Sequence, residues 1–189
     1  MESALILSSS DKGLSFFTEL LNTASISRIA SLSTGSEARR ALLGRDYDLV
    51  LINAPLRDES GIDLALQIAS QGLSQAILVV KSEHFDGISA KCEGYGVLTI
   101  AKPVNKSIFW SALKLAGATR SRLRQMQDEN NRLKQTIEDI RIIDRAKCLL
   151  ISYLSMSEQD AHRYIEKQAM DMRTTRRAIA EGILRTYEN

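Results

Sequence analysis

No Gly or Pro occurs between Ala118 and Ser157. A stretch this long with no backbone breaker predicts one continuous helix. Within it, Leu123, Met126, Asn130, Leu133, Ile137 and Ile140 step by 3, 4, 3, 4 and 3 residues. That spacing is a heptad seam. With Leu123 at position a, Asn130 is also at a, and Met126, Leu133 and Ile140 are at d. A single Asn at an a position suits a parallel two-stranded coil, because paired Asn amides satisfy each other only in register. The expectation is a homodimer held by this coil. The same spacing continues into Asp144 and Lys147, which cannot both be core, so the coil ends near there. The competing reading is one amphipathic helix folded back on its own domain.

Before this helix the chain alternates between two patterns. Short apolar runs rich in branched residues predict buried strands at Ala4–Ser8, Ser27–Leu32, Leu49–Asn53, Ala76–Lys81 and Val97–Ala101. Helix-period segments lie between them. Asp11 is placed as the cap of the first, with Leu14, Phe17, Leu20 and Leu21 on one face. Ser36–Leu43, Ile62–Ala69 and His84–Tyr95 follow, and Asn105 caps the fifth. Five strand–helix repeats predict an α/β fold, a five-stranded parallel doubly wound sheet covered by helices on both faces. After the coil come three helical pieces. Their apolar faces are Ile143, Ala146, Leu149, Leu150 and Tyr153, then Ala161, Tyr164, Ile165 and Ala169, then Ala178, Ile179, Ile183 and Leu184. Ser157 opens the second piece, with Glu158 and Asp160 in its first turn, and the third begins near Thr175. Met170 is expected in the core of this small all-α three-helix domain. The resulting division is 1–118, a coiled-coil linker at 119–140, and 141–189.

Composition narrows the function. No apolar run reaches the roughly 20 residues of a membrane span, and Met1-Glu2-Ser3-Ala4 lacks the basic start of a signal peptide, so no membrane partner and a cytoplasmic location are expected. Cys92 and Cys148 match no metal or redox spacing and read as single buried thiols. His84 and His162 lack ligand partners at useful spacing, so neither metal nor cofactor is expected. No nucleophile–base pair and no phosphate-cradling Gly loop occurs, which argues against an enzyme. Residues 1–119 carry 11 basic and 12 acidic side chains, and residues 120–189 carry 14 and 11. This small excess permits nucleic-acid binding in the second half without demonstrating it.

The run Tyr47-Asp48-Leu49-Val50-Leu51-Ile52-Asn53, Gly61 eight residues on, and Lys102-Pro103 after the fifth strand resemble a response-regulator receiver domain. The resemblance implies a two-component-like phosphorylation site, but the positions depart from it. Ser8 and Ser9 stand where receivers carry a magnesium-binding acid pair. Asn53 stands at the phospho-acceptor Asp, and Lys81 at the Ser/Thr place, with Ser82 next to it. Only Lys102 matches. Hydroxyls bring no negative charge to a hard dication, and an amide oxygen is a poor nucleophile toward phosphorus. The expectation is therefore a pseudo-receiver, fold kept and phosphorylation lost. Lys81 and Lys102 are left as an anion site or as structural ion-pair donors. Asp48, at the wrong end of its strand, and Asp58, in the following loop, are poor substitutes as acceptor.

The second half resembles the ANTAR domain, an RNA-binding antiterminator module. The match runs through Arg145-Ala146-Lys147-Cys148-Leu149-Leu150, Met156-Ser157-Glu158-Gln159-Asp160-Ala161, Ala169-Met170 and Arg176-Arg177-Ala178-Ile179-Ala180. The resemblance implies binding to paired hairpins in nascent mRNA leaders, which keeps a terminator from forming. It also implies a ligand-sensing regulatory protein as a partner, the alternative being a receiver-like domain that only dimerises or positions the module. The RNA-binding candidates are Lys147, Arg163, Lys167, Arg173, Thr174, Arg176 and Arg177. Arg173–Arg177 is the densest basic cluster and lies at a helix start, where free N–H groups favour phosphate. Tyr164 is read as core rather than as a base-stacking ring. The competing functions are an atypical receiver-type signalling protein acting through protein–protein contacts, and DNA binding. The second of these lacks a short Gly-containing turn before a polar recognition helix.

Overall fold

The computed structural model describes residues 1–71 and 74–187. The chain divides into two compact units, Met1–Gln125 and Met126–Asn189.

In the first unit the strands are β1 (Ser3–Ser8), β2 (Arg28–Leu32), β3 (Leu49–Asn53), β4 (Gln75–Lys81) and β5 (Leu98–Lys102). All pair in parallel in the order β2-β1-β3-β4-β5. The central strands β1 and β3 are buried along their whole length. Both faces are covered, so these strands read as unbroken apolar runs rather than as alternating ones. Leu5, Leu7, Val50 and Ile52 point into one core with α3 (Ile62–Gln71) and α4 (Phe85–Glu93), while Ala4, Ile6, Leu49 and Leu51 point into the other. Phe17, Leu20 and Leu21 of α1 (Asp11–Thr23) close the second core. Phe109, Leu113 and Ala116, from the start of α5 (Lys106–Leu154), join them there. The sheet with helices on both faces is the expected one. α1 is capped by the Ser10 side chain, which accepts from Gly13 N, rather than by Asp11. Asp11 is the first helical residue, where a carboxylate complements the helix dipole. Asn105 Oδ1 accepts from Ser107 and Ile108 at the head of α5, as expected, and Thr34, not among the expected caps, caps α2 (Gly35–Gly44).

The second unit holds the later part of α5 with α6 (Glu158–Asp171) and α7 (Arg176–Tyr187). Its core is small: Ala146, Leu150, Ala161, Ile165, Ala180 and Ile183. One alanine from each helix lets the three backbones approach closely, and the Tyr153 and Tyr187 rings lie 5.1 Å apart at the edge. Ser157 caps α6, accepting from Asp160 N. Five residues differ from expectation, among them Tyr153, which is 62% exposed rather than on a covered face. Ala178 is exposed, and Ala180 takes the buried place. Tyr164 is 38% exposed and Met170 is 79% exposed rather than core. Cys148 is exposed, and only Cys92 is a buried thiol. Two partner helices cover a narrow stripe of α6, and Ala161, Ile165 and Ala169 fill it. Among the described residues no helix is long and apolar enough to cross a membrane.

Candidate functional site

Two groups of residues have the placement for function. The first lies at the C-terminal ends of the strands, where open α/β sheets bind ligands. Register sets Ser8 opposite Asn53, and Lys81 opposite Lys102. Asn53 Nδ2 donates to Ser8 Oγ at 3.0 Å, and Ser8 Oγ donates to the Ser10 carbonyl at 2.9 Å. Ser9 Oγ donates to the Pro55 carbonyl at 2.9 Å. Lys102 Nζ donates to the Ala54 carbonyl at 2.6 Å, and burial, followed by the charge of Lys81, pulls its pKa down. Gly13 sits directly on the cluster: a Cβ there would fall 2.4 Å from Asn53 Nδ2 and 2.8 Å from Ser8 Oγ. Ser8, Ser9, Asn53 and Lys102 are thus drawn together and bonded to hydroxyls, an amide and carbonyls. Lys81 stands apart on the surface, 3.4 Å from Glu83.

The two nearby acids have other partners. Asp58 accepts from Gly35 N at 2.8 Å, from Ser36 N at 3.0 Å and from Ser36 Oγ at 2.9 Å. The Gly35 and Ser36 N–H donors bring its pKa down to about 2. Asp48 is at the opposite end of β3, where it accepts from the backbone of Glu2 and Ser3 and pairs with Arg120. Burial works to raise its pKa, but those donors and the guanidinium outweigh it and the net shift is downward.

The second group is the set of cations on the three-helix unit. The structure divides them. Lys147 is 16% exposed at its side chain and reaches Asp144 at 2.8 Å and Glu158 at 3.4 Å. Its hydrogen bond to Asp144 holds the ammonium pKa up. Arg177 bridges Asp139 at 2.7 Å and Glu181 at 2.8 Å. Both of these cations tie helices together. Arg176 contacts Glu166 at 3.1 Å but is 55% exposed. Arg163, Lys167, Arg173 and Thr174 are exposed, and among the described residues the three cations carry no ion pair. Arg163 and Lys167 are four apart and share a face of α6.

Arg173 closes α6 with an unusual backbone. Its N–H donates to the Met170 carbonyl at 3.2 Å, and the N–H of Thr174 donates to the Ala169 carbonyl at 2.9 Å. These are the paired bonds of a Schellman cap, with Arg173 in the left-handed position at φ 48°. Glycine usually fills that position, because a Cβ there costs roughly 1–2 kcal/mol. Thr175 Oγ1 then caps α7, accepting from Ala178 N at 3.2 Å. The seam residues Leu123, Met126, Leu133, Ile137 and Ile140 are between 44% and 61% exposed.

Residues 131–184 match the family model of the ANTAR domain. The C-terminal region is an ANTAR domain. Its matched stretch includes Leu133, Ile137 and Ile140 of the seam and every RNA-binding candidate named above. Over 168 residues the chain is 27% identical to the transcriptional regulatory protein PdtaR of Mycobacterium tuberculosis, covering 89% of this chain and 82% of that protein. The fold of the first unit is that of receiver domains. A signal receiver domain of an HD domain-containing protein from Pseudomonas fluorescens superposes with a TM-score of 0.57 and 22% identity, over 66% of this chain and 94% of that one. A CheY-like receiver domain from Methylobacillus flagellatus gives 0.53 and 22%, over 61% and 98%. The ANTAR domain thus follows a receiver-like domain, as the sequence motifs imply. Met170 is the site residue that sequence reasoning put in the wrong place, because its apolar character pointed to the core.

Proposed function

We propose that this protein is an RNA-binding regulator of transcription antitermination and not an enzyme. In this reading two copies associate along the α5 seam and present two ANTAR domains to paired hairpins in a nascent mRNA leader. Occupied hairpins keep the competing terminator from forming. The observation that carries the reading is the set of cations Arg163, Lys167 and Arg173, exposed on an ANTAR domain without a carboxylate partner. Cations held by carboxylates are already neutralised, whereas open ones displace counterions from a phosphate backbone. Lys147 and Arg177 serve first to hold the domain together, and Thr174 and Arg176, the latter 55% exposed although it contacts Glu166, lie beside the open group.

The test is the triple variant Arg163→Ala, Lys167→Ala, Arg173→Ala, assayed against tandem stem-loop RNA over a salt series. Affinity is expected to fall at least tenfold at moderate salt. The log–log salt slope is expected to drop by about 0.7–0.9 for each phosphate that the protein no longer neutralises. Unchanged helicity would show that the fold is intact. An unchanged slope would place the RNA elsewhere on the molecule.

The receiver-like domain, in this proposal, acts without an aspartyl phosphate, through a ligand-sensing partner protein. Ser8 and Ser9 offer magnesium no charge, and Asn53 is spent on Ser8. Incubation with acetyl phosphate and magnesium is expected to leave the intact mass unchanged. Asn53→Asp alone is expected to add no phosphoryl group either, because the acid pair that would hold magnesium is still missing. A phosphoryl adduct on the unaltered protein would favour the competing phosphorylation-dependent reading.

A further inference from the structure

Met170 lies on the rim of a cleft of about 570 Å³ between the end of α6 and the start of α7. Arg173, Thr174, Thr175 and Arg176 line the cleft with it, and Glu166 forms part of its wall. A lone exposed apolar side chain needs no explanation. This one is set among two guanidinium groups and two hydroxyls, in a concave site. Both contacts to Glu166, from Arg176 at 3.1 Å and from His162 at 3.3 Å, go to Oε1. Among the described residues Oε2 has no such contact.

Resting on the RNA-binding reading above, we propose that this cleft is a subsite for one unpaired base of a hairpin loop. The face of the base lies against the Met170 thioether. Its edge donates N–H to Glu166 Oε2 or meets the Thr174 hydroxyl, and the flanking phosphates go to Arg173 and Arg176. Each part has a physical reason. Sequence in structured RNA is read from loop bases that can be splayed out and stacked, while cations fix the backbone. A thioether is polarizable and unbranched, so it adapts to the flat face of a ring. A carboxylate repels phosphate but accepts from base amino and imino groups, so it distinguishes an edge with donors from one with only acceptors. Lysines and arginines alone would hold any polyanion; the apolar seat beside them gives a base somewhere to go.

The experiment uses the full chain and a pool of RNA stem-loops with a constant stem and a randomised loop. Selection on the unaltered protein is expected to enrich a base at one loop position. Met170→Ser replaces a side chain that lies outside the core, so the fold is retained. It is expected to lose about tenfold in affinity for the enriched hairpin. Selection on Met170→Ser is expected to flatten the preference at that position. Affinity for the same stem without a loop, which meets only the cations, stays as it was. Glu166→Gln is expected to shift which base is preferred. Equal affinity and equal enrichment for Met170→Ser would overturn the base subsite and leave RNA binding standing. An unaltered protein that binds the loopless stem as tightly as any hairpin would overturn both.

Discussion

Leu133→Lys combined with Ile137→Lys is expected to convert the protein to monomers and to weaken binding to tandem hairpins by about a hundredfold or more. The two positions are 54% and 52% exposed, so the change leaves the chain's own core undisturbed. What it removes is the apolar strip that a second copy would cover. Each Leu or Ile fully buried in such a seam contributes about 1.5–3 kcal/mol. Two lysines facing two lysines reverse that contribution and add repulsion. Separating the copies leaves each ANTAR domain to bind one hairpin alone. Linking two binding modules raises overall affinity by about 10²–10⁴ through effective concentration, with the individual sites unaltered. The variant is therefore expected to bind a single hairpin as the unaltered protein does, and to lose only the advantage of the tandem. Sedimentation and paired titrations with one and two hairpins measure both quantities. A variant that stays dimeric would show that the copies meet on another surface, and one that is monomeric but binds the tandem undiminished would show that pairing is irrelevant to the RNA.

The second large effect is expected at Leu150, which is 1% exposed in the core of the three-helix unit. Truncation of a buried leucine costs about 2–5 kcal/mol, part of it lost transfer energy and part the cavity left behind. Three of the six buried residues in that core are alanines, which offer no long side chain to fill the gap. A core this small has little reserve. Leu150→Ala is expected to melt the unit near physiological temperature and to abolish hairpin binding. Trp110 is the only tryptophan in the sequence and packs on the sheet core of the first unit. Its fluorescence transition is expected to stay where it was while far-ultraviolet helicity falls in an earlier step. A single shared transition would mean that the two units unfold as one.

How much of this was legible in the sequence depends on how local each cause is. β1 and β3 announce themselves because both faces of a central parallel strand are buried, so Ala4–Leu7 and Leu49–Ile52 contain no polar residue. Ser157 and Asn105 act within one helical turn, so their caps are nearly as readable. Ser10 and Asp11 are both good caps, and only the extended backbone of Ser10, at φ −121° and ψ 138°, decides between them. Burial on the small helices was harder. Ala178 and Ala180 differ only in which side of α7 meets its neighbours, and Met170 directly follows a buried alanine. Asp144 and Glu181 stand three and four residues from Lys147 and Arg177, a helical spacing that can be read, but the partners on other helices were not legible. Lys147 finds Glu158 eleven residues away and Arg177 finds Asp139 thirty-eight residues away, and neither spacing has any period. The cations to favour for RNA emerge only by subtraction, once the folded partners are known.

The left-handed residue that ends α6 places two demands on one codon. A glycine at position 173 would firm up the turn between the last two helices, and chance mutation samples that change readily. The same change would strip a guanidinium from the mouth of the cleft. On the proposed RNA-binding reading, a variant selected only for heat resistance would drift toward glycine there and bind the transcript more weakly, so a thermostabilised form should be checked at this position first.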